Sequence, residues 1–118
     1  MFSLNDSLRY WLYSEPTDMR KSFHTLSGLV IDRMGCDPNN GDVYIFINKA
    51  RNRIKLLHWE SGGMVIYSKL LEAGTIGQPS ETEGGRIRWA ELVMMVEGIM
   101  VSPDSRRQRL ESLKKLRI

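Results

Sequence analysis

The sequence predicts an α+β domain in which a small antiparallel sheet packs against two helices. Three β-branched and aromatic runs within about 42–71 are separated by gaps of only three or four residues, which is hairpin length. Connections this short make neighbouring strands antiparallel, so the runs predict a three-stranded meander at the centre of the sheet. Apolar residues at helical spacing predict helices over about 18–34 and 90–97, and residues 86–89 predict a further short strand.

A short aromatic strand and the start of the first helix precede the meander. Residues 9–14 read RYWLYS, and aromatic runs of this kind are typical of strands. In the helix that follows, Thr17 or Asp18 is the expected cap, and Asp18 also suits the positive end of the helix dipole. Gly35 is placed to end the helix.

The second half of the chain is less regular. Residues 72–85 are rich in Gly, Glu, Ser and Pro, so we expect an exposed loop there. Ser102 and Pro103 are a strong opening for a last helix, with a cap followed by a proline at the first helical position. The chain is therefore divided into one α+β domain over 1–102 and a basic C-terminal helix or tail over 103–118.

The charge of the chain is concentrated in bands. Its 118 residues carry 17 Lys and Arg against 14 Asp and Glu, a formal net charge of +3 that by itself favours no partner. The excess lies in residues 49–69 and 103–118, each with a balance of +4. A basic band of this kind either attracts phosphate or is a solvated face.

Composition also argues against several classes of protein. The single Cys36 leaves no internal disulfide and no cysteine-based zinc finger. The N-terminus has no apolar run typical of a secretory signal, and no segment approaches the ~20 apolar residues of a membrane span. We therefore expect a cytoplasmic protein that does not associate with membranes.

The residues able to carry chemistry are scattered. A metal-dependent nuclease needs carboxylates that converge on a cation, and no spacing brings the acidic residues together in this way. The two histidines are isolated, and Cys36 has no nearby histidine to activate it. We expect no catalytic residue, no metal, no cofactor and no small-molecule substrate. The residues considered are Asp18, Asp32, Asp42, Glu60, His24, His58 and Cys36.

A basic hairpin is the candidate nucleic-acid site. Because side chains alternate along a strand, Arg53, Lys55 and Trp59 project on one face. A basic edge that includes an aromatic ring can follow a phosphate backbone and stack on a base or sugar. No helix-turn-helix pattern is present, so we expect DNA contact with low sequence specificity. The predicted hairpin residues are Lys49, Arg51, Arg53, Lys55 and Trp59.

Arg20 and Lys21 complete the predicted nucleic-acid site. The predicted helix places both in its first turn, where a cation opposes the helix dipole. Such residues favour an anionic partner, which is either a phosphate or a carboxylate such as that of Asp18.

Aromatic residues leave a second possibility open. Most of Trp11, Tyr13, Trp59 and Tyr67 should lie in the core, but Trp and Tyr are also favoured anchors of protein interfaces. The meander exposes a sheet edge as well, and such an edge can pair with a partner strand. A protein-interaction module is therefore the alternative to a DNA-contacting one.

Three segments together carry a family resemblance. They are PTDMRKSF at 16–23, RIKLLHWE at 53–60, and the strand at 64–71 that leads into Glu-Ala-Gly. In this order and spacing, over about residues 7–100, the chain resembles the TnpB-type accessory proteins. These are the second open-reading-frame products of the insertion-sequence-66 family of bacterial transposable elements. Ser22 departs from the pattern, since the family commonly has Gly there.

The resemblance implies a role in DNA transposition. In such elements a separate, larger product carries the acidic catalytic triad that cuts and joins DNA. The resemblance therefore implies that this chain is a non-enzymatic accessory factor, with the transposase and other proteins of the same element as partners. It supplies no catalytic residues, and the basic tail beyond Ser102 lies outside it.

Overall fold

A computed structural model describes residues 4–79 and 83–97 of the chain. Five strands and two helices lie within these residues and confirm the predicted α+β class. The predicted basic C-terminal helix and the division at residue 102 lie outside them. The strands are β1 (Tyr10–Leu12), β2 (Val43–Ile47), β3 (Arg53–Glu60), β4 (Gly63–Leu70) and β5 (Arg86–Ile87), and the helices are α1 (Phe23–Asp32) and α2 (Trp89–Glu97).

The strands form one mixed sheet in the order β4-β3-β2-β1-β5. Strands β2, β3 and β4 are the predicted antiparallel meander. Strand β1 is parallel to β2, and Tyr10 lies opposite Val43 in this pair. On its other side β1 is antiparallel to β5, and there Tyr10 lies opposite Ile87. The parallel pair follows from the connection between β1 and β2, which contains α1 and is long enough for a crossover.

Both faces of the sheet are covered, which explains why β3 has no cleanly polar face. One face packs against α1, and the other packs against α2 and the segment that follows β4. The core on the α1 face contains Leu26, Val30, Tyr44, Phe46 and Leu57. The core on the α2 face includes Tyr10, Val43, Ile45, Leu56, Ile76, Ile87, Leu92 and Met95.

Helix α1 begins later than the sequence predicts. The backbone N–H of Thr17 donates to the carbonyl of Ile47 at 2.9 Å, so the chain continues alongside β2 beyond the end of β1. Asp18 is not the helix cap, because its Oδ1 accepts from the backbone N–H of Arg20 at 2.9 Å in a local turn. The helix therefore starts at Phe23 rather than at about residue 18.

The segment after β4 is only partly the exposed loop that was expected. Ile76 is 1% exposed and belongs to the core on the α2 face. Its backbone N–H donates to the carbonyl of Arg51 at 2.6 Å, and the N–H of Leu71 donates to the carbonyl of Asn52 at 2.7 Å. The expectation of exposure is therefore wrong at Ile76, because backbone bonds to the β2–β3 turn hold this apolar side chain in the core.

Candidate nucleic-acid interface

The turn between β2 and β3 is built around Asn48. Its side-chain carbonyl accepts from the backbone N–H of Asn52 at 3.0 Å and of Arg53 at 2.9 Å. Its amide donates to Oδ1 of Asn52 at 2.7 Å. Arg51 lies in the left-handed region, with φ of 57°. These bonds fix the conformation of the turn that carries the predicted basic residues.

The side chain of Arg51 holds the segment after β4. Its Nε donates to the carbonyl of Ile76 at 2.9 Å, and its Nη2 donates to the carbonyl of Gly77 at 3.0 Å. Partial burial lowers the pKa of the Arg51 guanidinium, because burial disfavours the charged form. Two of the N–H donors of Arg51, which the sequence predicted to contact DNA, therefore form hydrogen bonds within the fold.

Lys55 is engaged with backbone on the α1 face. Its Nζ donates to the carbonyl of Met19 at 2.6 Å and to that of Lys21 at 2.8 Å. The side chain thereby joins β3 to the chain that leads into α1. Lys21 itself is half-buried, and its carbonyl is one of the two acceptors for Lys55.

Arg20 pairs with the carboxylate of Asp18. Its Nη2 lies 2.7 Å from Oδ2, and its Nε lies 3.1 Å from each carboxylate oxygen. Hydrogen bonds from Arg20 lower the pKa of Asp18 to about 2. Of the two partners that the sequence left open for Arg20, the structure shows the carboxylate. The Arg20 side chain is nevertheless 91% exposed.

Three other cations, all exposed, lie at the end of the sheet that carries the β2–β3 turn. Lys49 lies in the β2–β3 turn, Arg53 begins β3, and Lys69 lies near the end of β4, opposite Ile54. Within residues 4–79 and 83–97, none of the three forms an ion pair. We call Lys49, Arg53 and Lys69 the basic end. Lys69 was not a predicted site residue, although it belongs to the basic band, and only the antiparallel register places it beside the start of β3.

Trp59 is not brought to the basic end. It shares a face of β3 with Arg53, as predicted, but it pairs with Met64 at the opposite end of the strand. Trp59 lies six positions along the strand from Arg53, which corresponds to about 20 Å. Its ring is half-buried, so the structure separates the aromatic residue from the cations with which the sequence grouped it.

Sequence comparison places the chain in a family. It matches the IS66 Orf2-like protein family over residues 8–106. The chain belongs to this family. It is also similar to two proteins of Sinorhizobium fredii, both named as uncharacterized. One, y4jC, is 28% identical over 100 residues, covering 84% of this chain and 86% of its own. The other, y4hO, is 28% identical over 101 residues, covering 84% and 87%. No solved structure matches.

Membership connects this IS66 Orf2-like protein with transposition, in the role of an accessory protein of an insertion sequence. The match includes every residue of the basic end and every predicted nucleic-acid contact. The candidate interface therefore lies in the part of the chain that matches the family.

Two of the groups considered as candidates for chemistry, Asp42 and His58, have structural partners in this IS66 Orf2-like protein. Asp42 accepts from Arg9 Nε at 3.1 Å and from Trp11 Nε1 at 3.0 Å. His58 Nδ1 lies 2.9 Å from Glu60 Oε1. In the described part of the chain, no group of three or more His, Cys, Asp or Glu side chains is arranged to hold a metal ion. Neither described helix is long and apolar enough to cross a membrane.

Proposed function

We propose that this IS66 Orf2-like protein is a non-enzymatic accessory factor in transposition that contacts DNA phosphates through the basic end. The observation that supports this function is that Lys49, Arg53 and Lys69 all lie at one end of the sheet, with Arg53 and Lys69 projecting from opposite faces of it. All three are exposed, and none forms an ion pair among the described residues. Cations that contact only the backbone carry no sequence information, so the contact has low specificity.

Three other predicted DNA contacts, Arg51, Lys55 and Arg20, have partners within the fold. Arg51 and Lys55 hold the two segments that flank the turn. Arg20 is already paired with Asp18. In this proposal Arg51 and Lys55 position the backbone next to the basic end, whose exposed cations contact DNA phosphates.

The proposal is tested by the salt dependence of duplex binding. Affinity is measured between about 50 and 200 mM salt for the wild type and for the triple variant Lys49→Glu, Arg53→Glu, Lys69→Glu. Each lost phosphate contact lowers the slope of log affinity against log salt by about one. We expect the triple variant to bind the duplex more weakly at low salt, with a slope reduced by about three. Changes at Arg51 or Lys55 are avoided because they would disturb the fold.

A matched control distinguishes an effect of the basic end on duplex binding from an effect of net charge alone. Arg33→Glu reverses one exposed charge directly after α1, at a residue outside the β2–β3 turn and the basic end, and is compared with Arg53→Glu. We expect Arg53→Glu to weaken duplex binding and Arg33→Glu to leave it almost unchanged. Absence of binding at low salt, or equal loss in the two variants, contradicts the proposal.

The second candidate is a scaffold that binds the transposase without touching DNA. It is favoured by the outer edge of β4, an eight-residue strand that pairs only with β3 among the described residues. Unpaired edge strands can accept a strand from another protein. Co-purification of the element's proteins after nuclease treatment distinguishes the two candidates. A complex that survives nuclease and still contains the triple variant favours the scaffold.

A further inference from the structure

A cleft of about 280 Å³ lies where the two parallel strands end. The loop after β1 supplies one wall, through Ser14, Glu15 and Pro16. The turn after β2 supplies the other, through Lys49 and Arg51. In open α/β sheets, ligands bind in the crevice outside the carboxyl ends of the parallel strands. The cleft occupies this position between β1 and β2.

Arg51 brings an uncompensated positive charge to this cleft. A guanidinium has five N–H donors, and two of them are used on the carbonyls of Ile76 and Gly77. Both acceptors are neutral, and no carboxylate pairs with Arg51 among residues 4–79 and 83–97. A partly buried cation with only neutral partners is stabilised by an added anion, since burial alone disfavours its charge.

The backbone at Arg51 supports a role for its side chain. A φ of 57° is costly for a residue with a Cβ, and Gly or Asn would adopt it more readily. Residues held in such conformations cluster at ligand sites. Holding the segment after β4 uses only part of the guanidinium, which leaves three donors for a ligand.

Lys49 links the cleft to the basic end. It lines the cleft and is also one of the exposed cations proposed to contact DNA. Two cations against the single carboxylate of Glu15 give the lining a net positive charge. A volume near the lower limit of small-molecule sites, about 300 Å³, suits one phosphate with its sugar rather than a larger ligand.

We propose that this cleft binds one phosphate group of a nucleic-acid strand, held between Arg51 and Lys49. The inference rests on the proposed function, because it takes the phosphate from the DNA that the basic end contacts. Arg51 supplies planar donors that match phosphate oxygens, and Lys49 supplies a mobile ammonium. The cleft thus fixes the position of one phosphate, whereas the basic end alone would allow the strand to slide.

The test is a titration of the isotopically labelled full chain with inorganic phosphate, followed by NMR at constant ionic strength. We expect saturable shifts of the backbone amides of Ser14, Glu15, Lys49 and Gln78, which line the cleft. Lys49→Gln should weaken phosphate binding about threefold or more, as expected for the loss of one exposed cation. Glu15→Gln should strengthen it, because the only carboxylate on the lining is removed.

The matched control is Lys69→Gln, which removes the same charge outside the cleft. It should weaken duplex binding and leave phosphate affinity unchanged. Acetate, titrated under the same conditions, tests a carboxylate ligand from a protein partner. Absence of saturable shifts at the cleft overturns the inference. So does equal weakening of phosphate binding by Lys69→Gln, or an acetate affinity equal to that of phosphate.

Duplex and single-stranded DNA are measured in parallel, so that the two proposals can fail separately. Salt-dependent DNA binding without phosphate shifts at the cleft overturns the phosphate site and leaves the basic end as the contact. Phosphate binding at the cleft without DNA binding overturns both the proposed function and the nucleic-acid source of the phosphate. If phosphate competes with DNA for the wild type but not for Lys49→Gln, the result supports both the proposed function and the phosphate site.

Discussion

At the scale of single residues, the sequence shows where cations lie but not which of them are free. Lys49 and Arg53 are as exposed as the basic hairpin implied. Lys55 donates to two backbone carbonyls, and Arg51 holds a segment more than twenty residues away. These partners depend on tertiary contacts that no local pattern encodes, so the predicted set mixed exposed cations with structural ones.

The ion pair between Asp18 and Arg20 predicts an unusual acid titration. Arg20→Gln should raise the pKa of Asp18 from about 2 towards its ordinary 3.8, because the hydrogen bonds that favour the carboxylate are lost. The lowered pKa means that the pair stabilises the fold above about pH 4, and that this contribution disappears as the pH falls through about 2. Carboxyl NMR of both proteins measures the shift, and an unchanged pKa in Arg20→Gln contradicts the prediction.

Lys55 is predicted to matter more for stability than its exposed neighbour on the same strand. Lys55→Met leaves the carbonyls of Met19 and Lys21 without their donor, which should lower the free energy of unfolding by about 1–3 kcal/mol. Arg53→Met removes a cation from an exposed position, and should change it by less than about 0.5 kcal/mol. Urea denaturation of both variants measures the difference. Equal stabilities would show that the Lys55 contacts contribute nothing.

At the scale of elements, local patterns are most informative where the chain pairs with its near neighbours. The run at 53–60 predicted as a strand coincides with the observed β3, Arg53–Glu60. Its bounds could be predicted because hairpin turns and β-branched runs are local signals. Helix α1 begins at Phe23 because Thr17 still bonds to β2, a contact between distant parts of the chain. The parallel pairing of β1 with β2 has the same origin, since it requires the crossover through α1.

Two glycines are predicted to respond oppositely to alanine. Gly28 lies inside α1 with no atom within 4 Å of an added Cβ, so Gly28→Ala should stabilise the protein by about 0.5–1 kcal/mol. Gly85 has φ of 84°, and its added Cβ would lie 2.7 Å from the carbonyl oxygen of Leu12. Gly85→Ala should therefore cost about 1–3 kcal/mol from backbone strain, with the clash in addition.

Thermal denaturation of the two glycine variants checks this pair. We expect a higher midpoint for Gly28→Ala and a lower one for Gly85→Ala. A shift in the same direction for both would mean that the approach of Gly85 to β1 is not constrained as described.

At the scale of the whole molecule, one sheet joins two cores. Leu26 belongs to the core on the α1 face and Leu92 to the core on the α2 face. Strand β2 contributes to both, through Tyr44 and Phe46 on one face and Val43 and Ile45 on the other. Loss of either core therefore exposes a central strand, and the two cores should unfold together.

Core truncations test this coupling. Leu26→Ala and Leu92→Ala should each lower the free energy of unfolding by about 2–5 kcal/mol, because both side chains are fully buried. Each variant should keep a single transition that coincides when followed by near-UV circular dichroism and by tryptophan fluorescence. Two separate transitions in either variant would show that the faces unfold independently.

The position of β1 has a consequence for synthesis on the ribosome. Tyr10 is made early, yet it lies between Val43 and Ile87 in the finished sheet. A nascent chain can form the β2–β3–β4 meander while one side of β1 still lacks its partner. Until β5 and α2 emerge, an aromatic strand and an apolar sheet face stay uncovered, and such surfaces pair with the wrong chains. A pause after the meander has emerged from the ribosome, but before β5 and α2 have, therefore prolongs the exposure of these surfaces to neighbouring chains on a polysome.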